Sequence, residues 1–179
     1  KPIYCDHKNN IGLYEFVEGR KLNSSELTSQ HINEAASFIK GLNARLDRDQ
    51  ALPTASEGCF SIEQHFLTID NRLNRLLRLP AVSELEHQLH SFVGEIEIAW
   101  EKIKGEISIN AKSIARELST EDRCISPSDF GFHNALLKQS GDICFIDFEY
   151  AGWDDPAKMV GDFFLQPAVP VPFEHFDVF

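Results

Sequence analysis

Two neighbouring stretches decide the fold of this chain: Ser126-Pro-Ser-Asp-Phe-Gly-Phe-His-Asn-Ala-Leu-Leu137 and Ile143-Cys-Phe-Ile-Asp-Phe-Glu-Tyr150. The first predicts a loop that carries Asp129 and Asn134 and leads into a short apolar strand. The second predicts a returning strand that delivers Asp147. Such a strand-turn-strand unit brings three oxygen-bearing side chains together. One carboxylate can then accept a proton while the other two groups bind a hard cation such as magnesium.

The composition limits the class of protein. The 179 residues are 42% hydrophobic, enough for a substantial core, and carry a formal net charge of −11. A chain this acidic is not a general nucleic-acid binder, because phosphate contacts need clustered lysines and arginines. No apolar run approaches the length of a membrane span, and the widely spaced cysteines argue against a zinc site or a disulfide framework. We therefore expect a cytoplasmic protein that binds neither nucleic acid nor membranes.

The periodicity of apolar residues predicts a mostly helical chain between two small β-structures. The first residues predict a β-hairpin, with strands at Lys1–Cys5 and Ile11–Val17. Helices are predicted from Ser24 or Ser25 to Leu42, from Ser61 to Leu79, from Val82 to Ile103, from Ile107 to Leu118 and from Lys158 to Leu165, with loops at 44–60 and 151–157. Gly105 is expected to separate the third and fourth of these helices.

The order and spacing of the polar residues resemble a known motif. Asp129-Phe-Gly-Phe-His-Asn134, then an apolar strand and Ile146-Asp-Phe-Glu-Tyr-Ala-Gly152, is similar to the catalytic and metal-binding loops of the aminoglycoside phosphotransferase and choline kinase family. The resemblance implies phosphoryl transfer from ATP, in which positioning and charge neutralisation do most of the catalysis. By the same resemblance Asp129 accepts or orients the proton of the substrate hydroxyl. Asn134 and Asp147 would hold Mg²⁺ beside the ATP phosphates.

Two further stretches are similar to parts of that family. Leu13-Tyr-Glu-Phe-Val-Glu-Gly19 resembles the hinge between the two kinase lobes, which implies that Tyr14, Glu15 and Val17 lie at the adenine site. Asp162 resembles an aspartate near a helix start, which implies a structural role in bonding the backbone of the catalytic loop.

One position departs from the family's motif. The family has a histidine two residues before the catalytic aspartate, and Pro127 occupies that position here. Proline fixes its own φ and lacks an N–H donor, so the loop must be held differently. His133 is interpreted as a loop histidine with satisfied hydrogen bonds rather than as a base or a metal ligand. Asp147 lies between apolar residues and is expected to be paired or metal-bound, because burying a lone carboxylate is costly.

The resemblance implies an α+β fold, the mostly helical carboxy-terminal lobe of a protein-kinase-like fold, with a small β-hairpin that carries both loops. Residues 1–20 would form the end of the amino-terminal lobe and the hinge, and residues 21–179 the helical lobe. The catalytic loop is expected at 126–137 and the metal loop at 145–152. The family's glycine-rich loop and phosphate-binding lysine have no counterpart, so we expect the chain to be a fragment of a longer protein.

Two functions are compatible with the sequence. The first is an ATP-dependent phosphotransferase that acts on a hydroxyl of a small molecule, such as an amino sugar, a choline-like alcohol or a sugar. The acidic composition slightly favours a cationic acceptor. The second is a kinase-like binding or scaffold module that no longer transfers phosphate, favoured by Pro127 and by the missing first-lobe motifs.

Overall fold

The computed structural model describes residues 2–6, 8–9, 11–44 and 51–179, so that Lys1 and part of the predicted loop 44–60 lie outside the described residues. The helices are α1 (Ser29–Asn43), α2 (Ile62–Leu77), α3 (Glu84–Asn110) and α4 (Pro156–Leu165). The strands are β1 (Pro2–Asp6), β2 (Ile11–Tyr14), β3 (Cys124–Ser126), β4 (Ala135–Leu137), β5 (Ile143–Phe145) and β6 (Gly152–Asp154). Within these ranges no helix combines the length and the apolar composition that crossing a bilayer requires.

The described strands pair into three two-stranded antiparallel sheets, β1–β2, β3–β6 and β4–β5. The first is the predicted amino-terminal hairpin, although β2 ends at Tyr14 rather than at Val17. In the second, Ile125 lies opposite Trp153, so residues 152–154 form a strand where a loop was predicted. The third is the predicted strand-turn-strand unit. This sheet joins the loop that carries Asp129 and Asn134 to the loop that carries Asp147.

Helix α1 begins later than the sequence predicted. Ser24 and Ser25 do not cap it; they lie in a short 3₁₀ turn that Asn23 and Glu26 close with a capping box of their own. The chain is then extended through Thr28, whose hydroxyl accepts a hydrogen bond from the amide of His31 and starts α1. The predicted cap was wrong because this segment contains two N-cap residues. Asn23 caps the 3₁₀ turn, and Thr28 caps α1.

Helix α3 is longer than predicted and continues to Asn110. Gly105 lies in its interior, and the prediction that it ends the helix was wrong, since one glycine costs a helix only about 1 kcal/mol relative to alanine. The helix predicted at Ile107–Leu118 does not continue beyond Asn110. There the backbone of residues 111–118 bonds to residues 60–63 at the start of α2, with N···O distances of 2.7 and 2.9 Å.

Two hydrophobic cores hold these elements together. The larger core contains Phe130 and Phe132 from the polar loop and Phe163 from α4, each at most 2% exposed. The smaller core joins α2 to α3, with Phe66 and Trp100 in edge-to-face contact at 5.4 Å between ring centroids. Although these apolar members of the loop are buried, Asp129, which directly precedes Phe130, is exposed.

Candidate active site

The loop that follows β3 turns sharply before Asp129. Ser126 and Pro127 are fully buried, and the carbonyl of Pro127 accepts a hydrogen bond from the amide of Asp129 at 3.0 Å. Ser128 has a left-handed φ of 70°, and its hydroxyl donates to the carbonyl of Ser56 at 2.7 Å. Pro127 lies beyond the β3–β6 ladder, so its missing N–H leaves no strand hydrogen bond unmade. The loop is therefore held by backbone turns and buried side chains.

Asn134 is bonded to Asp129 at two points. Its Nδ2 donates to the carbonyl oxygen of Asp129 at 3.0 Å and to Asp129 Oδ2 at 3.1 Å. Both partners are acceptors only, so the nitrogen of the amide must face them. The amide oxygen of Asn134 is thereby turned away from Asp129 and is available to a cation. The predicted base and one predicted metal ligand thus lie side by side.

The β4–β5 sheet brings Asp147 to the same end of the hairpin as Asn134. The amide of Ile146 donates to the carbonyl of Asn134 at 2.9 Å, one residue before Asp147. Asp147 has a left-handed φ of 67° and is exposed, so the premise that its carboxylate is buried was wrong. That it binds a metal stays a prediction. An exposed carboxylate on a strained backbone is free to bind a ligand.

Tyr150 lies close enough to three carboxylates for their charges to act on its phenol. The pKa of its phenol is raised, first by a hydrogen bond with Glu149 and by the charge of that carboxylate. The charges of Asp147 and Asp129 raise it further. A concentration of negative charge of this kind is stabilised by a bound cation.

His133 lies against Asp129 from the other side. Its Nε2 is 3.1 Å from Asp129 Oδ1, but outside the angular range of a hydrogen bond. Neither ring nitrogen is accessible to solvent or has a hydrogen-bond partner. The prediction that this histidine has satisfied hydrogen bonds was therefore wrong.

A cleft of about 470 Å³ opens beside Asp129. Its lining includes charged groups from three other parts of the chain: Glu57 from the loop before α2, Arg72 from α2, and Lys158 and Asp162 from α4. Glu57 has a φ of 56° and is paired with Arg72. This wall could not be predicted from the sequence, because its residues are far apart in the chain and Arg72 has the spacing of an ordinary solvent-facing helix residue.

The backbone as a whole resembles a solved protein structure, that of the choline kinase LicA from Streptococcus pneumoniae. The TM-score is 0.51 at 14% sequence identity, and the match covers 99% of this chain and 53% of that protein. The fold is kinase-like. The chain spans about half the length of the choline kinase it matches. No protein-family profile matches the sequence, and no curated protein sequence matches it either.

Within this kinase-like fold, Lys158 joins two aspartates. Its Nζ donates to Asp162 Oδ2 at 2.6 Å and to Asp154 Oδ2 at 3.2 Å, and Asp154 is fully buried. Burial alone would lower the pKa of Lys158, but the hydrogen bond and charge of Asp162 and the charge of Asp154 outweigh it and raise that pKa. Burial raises the pKa of Asp162 despite the lysine. Asp162 thus accepts a hydrogen bond from Lys158. The sequence had instead predicted that Asp162 bonds the backbone of the loop 126–137.

The segment that resembles a hinge leads directly to this site. Tyr14 ends β2 and is 67% exposed, and Glu15 and Val17 follow outside any helix or strand. Two backbone hydrogen bonds, of 3.0 and 2.8 Å, then join Arg20 to Leu137 at the end of β4. The structure thus pairs the end of this segment, at Arg20, with the β4–β5 sheet. The contact of Tyr14, Glu15 and Val17 with adenine stays a prediction, as does the division into residues 1–20 and 21–179.

The donor set fits a magnesium ion. The amide oxygen of Asn134 and the carboxylate of Asp147 are hard oxygen ligands. Among the described residues, no cluster of three or more histidine, cysteine, aspartate or glutamate side chains could hold a metal by itself. Magnesium in nucleotide sites is generally bound through one or two carboxylates, waters and substrate phosphates rather than by an all-protein cage.

Proposed function

We propose that the chain is part of an ATP-dependent phosphotransferase that moves the γ-phosphate of ATP to a hydroxyl group of a small molecule. The contact between Asn134 Nδ2 and Asp129 carries the proposal, because it pairs a carboxylate base with a metal-ligating amide at the edge of a cleft. A kinase-like fold supports the same reaction class. Mg²⁺ and ATP are the cofactor and co-substrate.

Each residue of the site has one task in this proposal. Asp129 orients the acceptor hydroxyl and takes up its proton as the phosphoryl group is transferred. Asn134 and Asp147 hold Mg²⁺, which when bound neutralises charge on the ATP phosphates. The two lone pairs on each carboxylate oxygen let Asp129 accept the amide of Asn134 and still face the acceptor.

The remaining predicted residues complete the assignment. Tyr14, Glu15 and Val17 contact adenine, in keeping with their position just before the backbone pairing of Arg20 with β4. Asp162 supports the catalytic loop indirectly, through Lys158 and the buried Asp154 of β6. The protein works in the cytoplasm, on soluble substrates.

The acceptor is a small molecule. A cleft of about 470 Å³ lies in the range that encloses drug-sized ligands. Amino sugars, choline-like alcohols and sugars are the candidate acceptors. Both signs of charge line the cleft, so the walls can bind a polar acceptor through hydrogen bonds as well as through charge.

Pro127 favours a second function, a kinase-like binding or scaffold module that does not transfer phosphate. The family's motif has a histidine at this position, and the buried proline cannot donate or accept through a side chain. This alternative predicts that the protein binds a small molecule or a partner without consuming ATP.

Phosphate transfer by the full-length protein tests the two functions against each other. The protein is incubated with Mg-ATP and a panel of amino sugars, choline and sugars, and product is followed by mass spectrometry. Asp129→Asn should lower kcat about 10²–10⁴-fold for the acceptor that reacts. Asp142→Asn, at an exposed aspartate on the β4–β5 turn, is the matched control and should leave the rate unchanged. Equal rates for wild type and Asp129→Asn would refute the role of Asp129.

A further inference from the structure

The imidazole of His133 is buried next to Asp129 without a structural reason for being a histidine. Its side chain is 15% exposed, and neither ring nitrogen has a hydrogen-bond partner. Buried polar atoms without a partner are unfavourable, so an apolar side chain of the same size would suit this position better if packing were its only task.

The surroundings of the ring leave it little freedom. A Cβ placed on Gly131 would lie 2.9 Å from His133 Nδ1 and 3.1 Å from Gln166 Cγ, so the ring packs directly over the glycine backbone. On the backbone side, the Nζ of Lys21 donates to the carbonyl of His133 at 2.5 Å. Both the ring and the main chain of His133 are thus fixed where Nε2 faces Asp129.

We infer that His133 is a positioning residue for Asp129, an inference that rests on the proposed function. His133 Nε2 lies 3.1 Å from Oδ1 and Asn134 Nδ2 lies 3.1 Å from Oδ2, so each carboxylate oxygen has one nitrogen atom beside it. Two such contacts fix the plane of the carboxylate. Catalytic hydrogen bonds are often poorly aligned in the free enzyme and tighten when substrate binds, which explains the imperfect angle.

The consequence concerns the direction of the free lone pairs of Asp129. Each carboxylate oxygen can accept two hydrogen bonds, and one position on each is turned toward His133 or Asn134. Asp129 lines the cleft, and in this inference its remaining positions are the ones offered to the acceptor hydroxyl. Without His133 the carboxylate can rotate, and a small misplacement of a catalytic group costs a large factor in rate.

The contact itself is tested by NMR, independently of any activity. With ¹⁵N-labelled histidine in the full-length protein, we expect Nε2 of His133 to carry a proton. Its resonance should shift in Asp129→Ala, while the resonances of His90, a histidine on α3 whose Nε2 is also buried and unpaired, should not. An unprotonated Nε2 of His133, or a resonance unaffected by Asp129→Ala, would overturn the inference.

Kinetics then separate positioning from packing. His133→Leu should lower kcat at least about ten-fold with an unchanged KM for ATP, and should not lower Tm, because it removes two unpaired nitrogens. His133→Gln places an amide nitrogen near the position of Nε2 and should recover most of the loss, and His90→Leu is the control. Wild-type kcat in His133→Leu, or no recovery in His133→Gln, contradicts the inference. If wild type phosphorylates no acceptor, the proposed function fails and the NMR result alone decides the contact.

Discussion

Asn134 donates its side-chain amide to both the main-chain carbonyl and the carboxylate of Asp129, at 3.0 and 3.1 Å. The five-residue spacing is bridged by a single 3₁₀ turn at Phe132–Asn134, whose phenylalanine is fully buried. The turn is therefore fixed by the core, and with it the orientation of the amide. In the proposed site, this relationship would let one side chain both support the base and bind the metal.

Asn134→Ala should impair both tasks together. It removes the two hydrogen bonds to Asp129 and the amide oxygen that we assign to Mg²⁺. We expect kcat to fall about 10²-fold through loss of positioning and the Mg²⁺ concentration for half-maximal rate to rise. A magnesium titration of the initial rate measures both quantities. An unchanged magnesium requirement would remove Asn134 from the metal site.

Gly152→Ala should unfold the region around β6. A Cβ at this position would lie 2.3 Å from the carbonyl oxygen of Pro53 and 2.6 Å from the amide of Ala55, and backbone atoms cannot move aside as side chains do. We expect a loss of at least about 2 kcal/mol in the free energy of unfolding. Gly161→Ala is the matched control. Its Cβ would meet nothing within 4 Å inside α4, and the change should stabilise the helix by about 0.5–1 kcal/mol. Urea denaturation compares the two, and an equal effect of both changes would contradict the prediction.

Lys158→Met should be strongly destabilising. The lysine is 15% exposed and neutralises Asp154, which is fully buried. Removing one partner of a buried pair leaves an uncompensated charge, and we expect a loss of about 3–5 kcal/mol. The control is Lys102→Met, at an exposed lysine whose Nζ is 3.9 Å from Glu106; it should cost at most about 1 kcal/mol. Similar losses for the two variants in urea denaturation would refute the structural role of Lys158.

Asp70 should contribute to the loss of stability in acid. Its Oδ1 accepts from Trp100 Nε1 at 2.7 Å and from Lys104 Nζ at 3.0 Å. The hydrogen bond from Trp100, followed by that from Lys104, lowers the pKa of Asp70. A carboxyl whose pKa is lower in the folded state stabilises the fold above its unfolded pKa, near 3.9, and this stabilisation is lost as the pH falls through the folded value.

The acid unfolding of Asp70→Asn tests whether the ionised carboxylate of Asp70 stabilises the fold. Asparagine keeps an acceptor for Trp100 but cannot titrate, so the stability of the variant should fall less than that of wild type between about pH 5 and pH 2. The free energy of unfolding from urea titrations at each pH measures the difference. If the free energy of unfolding falls more steeply with decreasing pH in the variant than in wild type, ionised Asp70 does not stabilise the fold.

The sequence predicted more of the candidate site than of the helix boundaries. Asp129, Asn134 and Asp147 lie on one strand-turn-strand unit, and short-range spacing determines which residues such a unit brings together. The long helix α3 was misjudged because Gly105 is a weak signal within 27 helical residues. Residues 111–118 were misjudged because their backbone bonds to the start of α2, a partner distant in sequence.

The sequence alone determined the chemistry of the loop, since the order of an aspartate, an asparagine and a second aspartate around apolar strands is a local property of the chain. The tertiary structure decided what surrounds that chemistry. Arg72, Glu57 and Lys158 meet at the cleft only because α2 and α4 pack beside the loop 126–137. The structure also decided that His133 faces Asp129, since the ring packs over the backbone of Gly131. Contacts between residues far apart in the chain depend on the packing of the whole core, and local sequence patterns do not encode them.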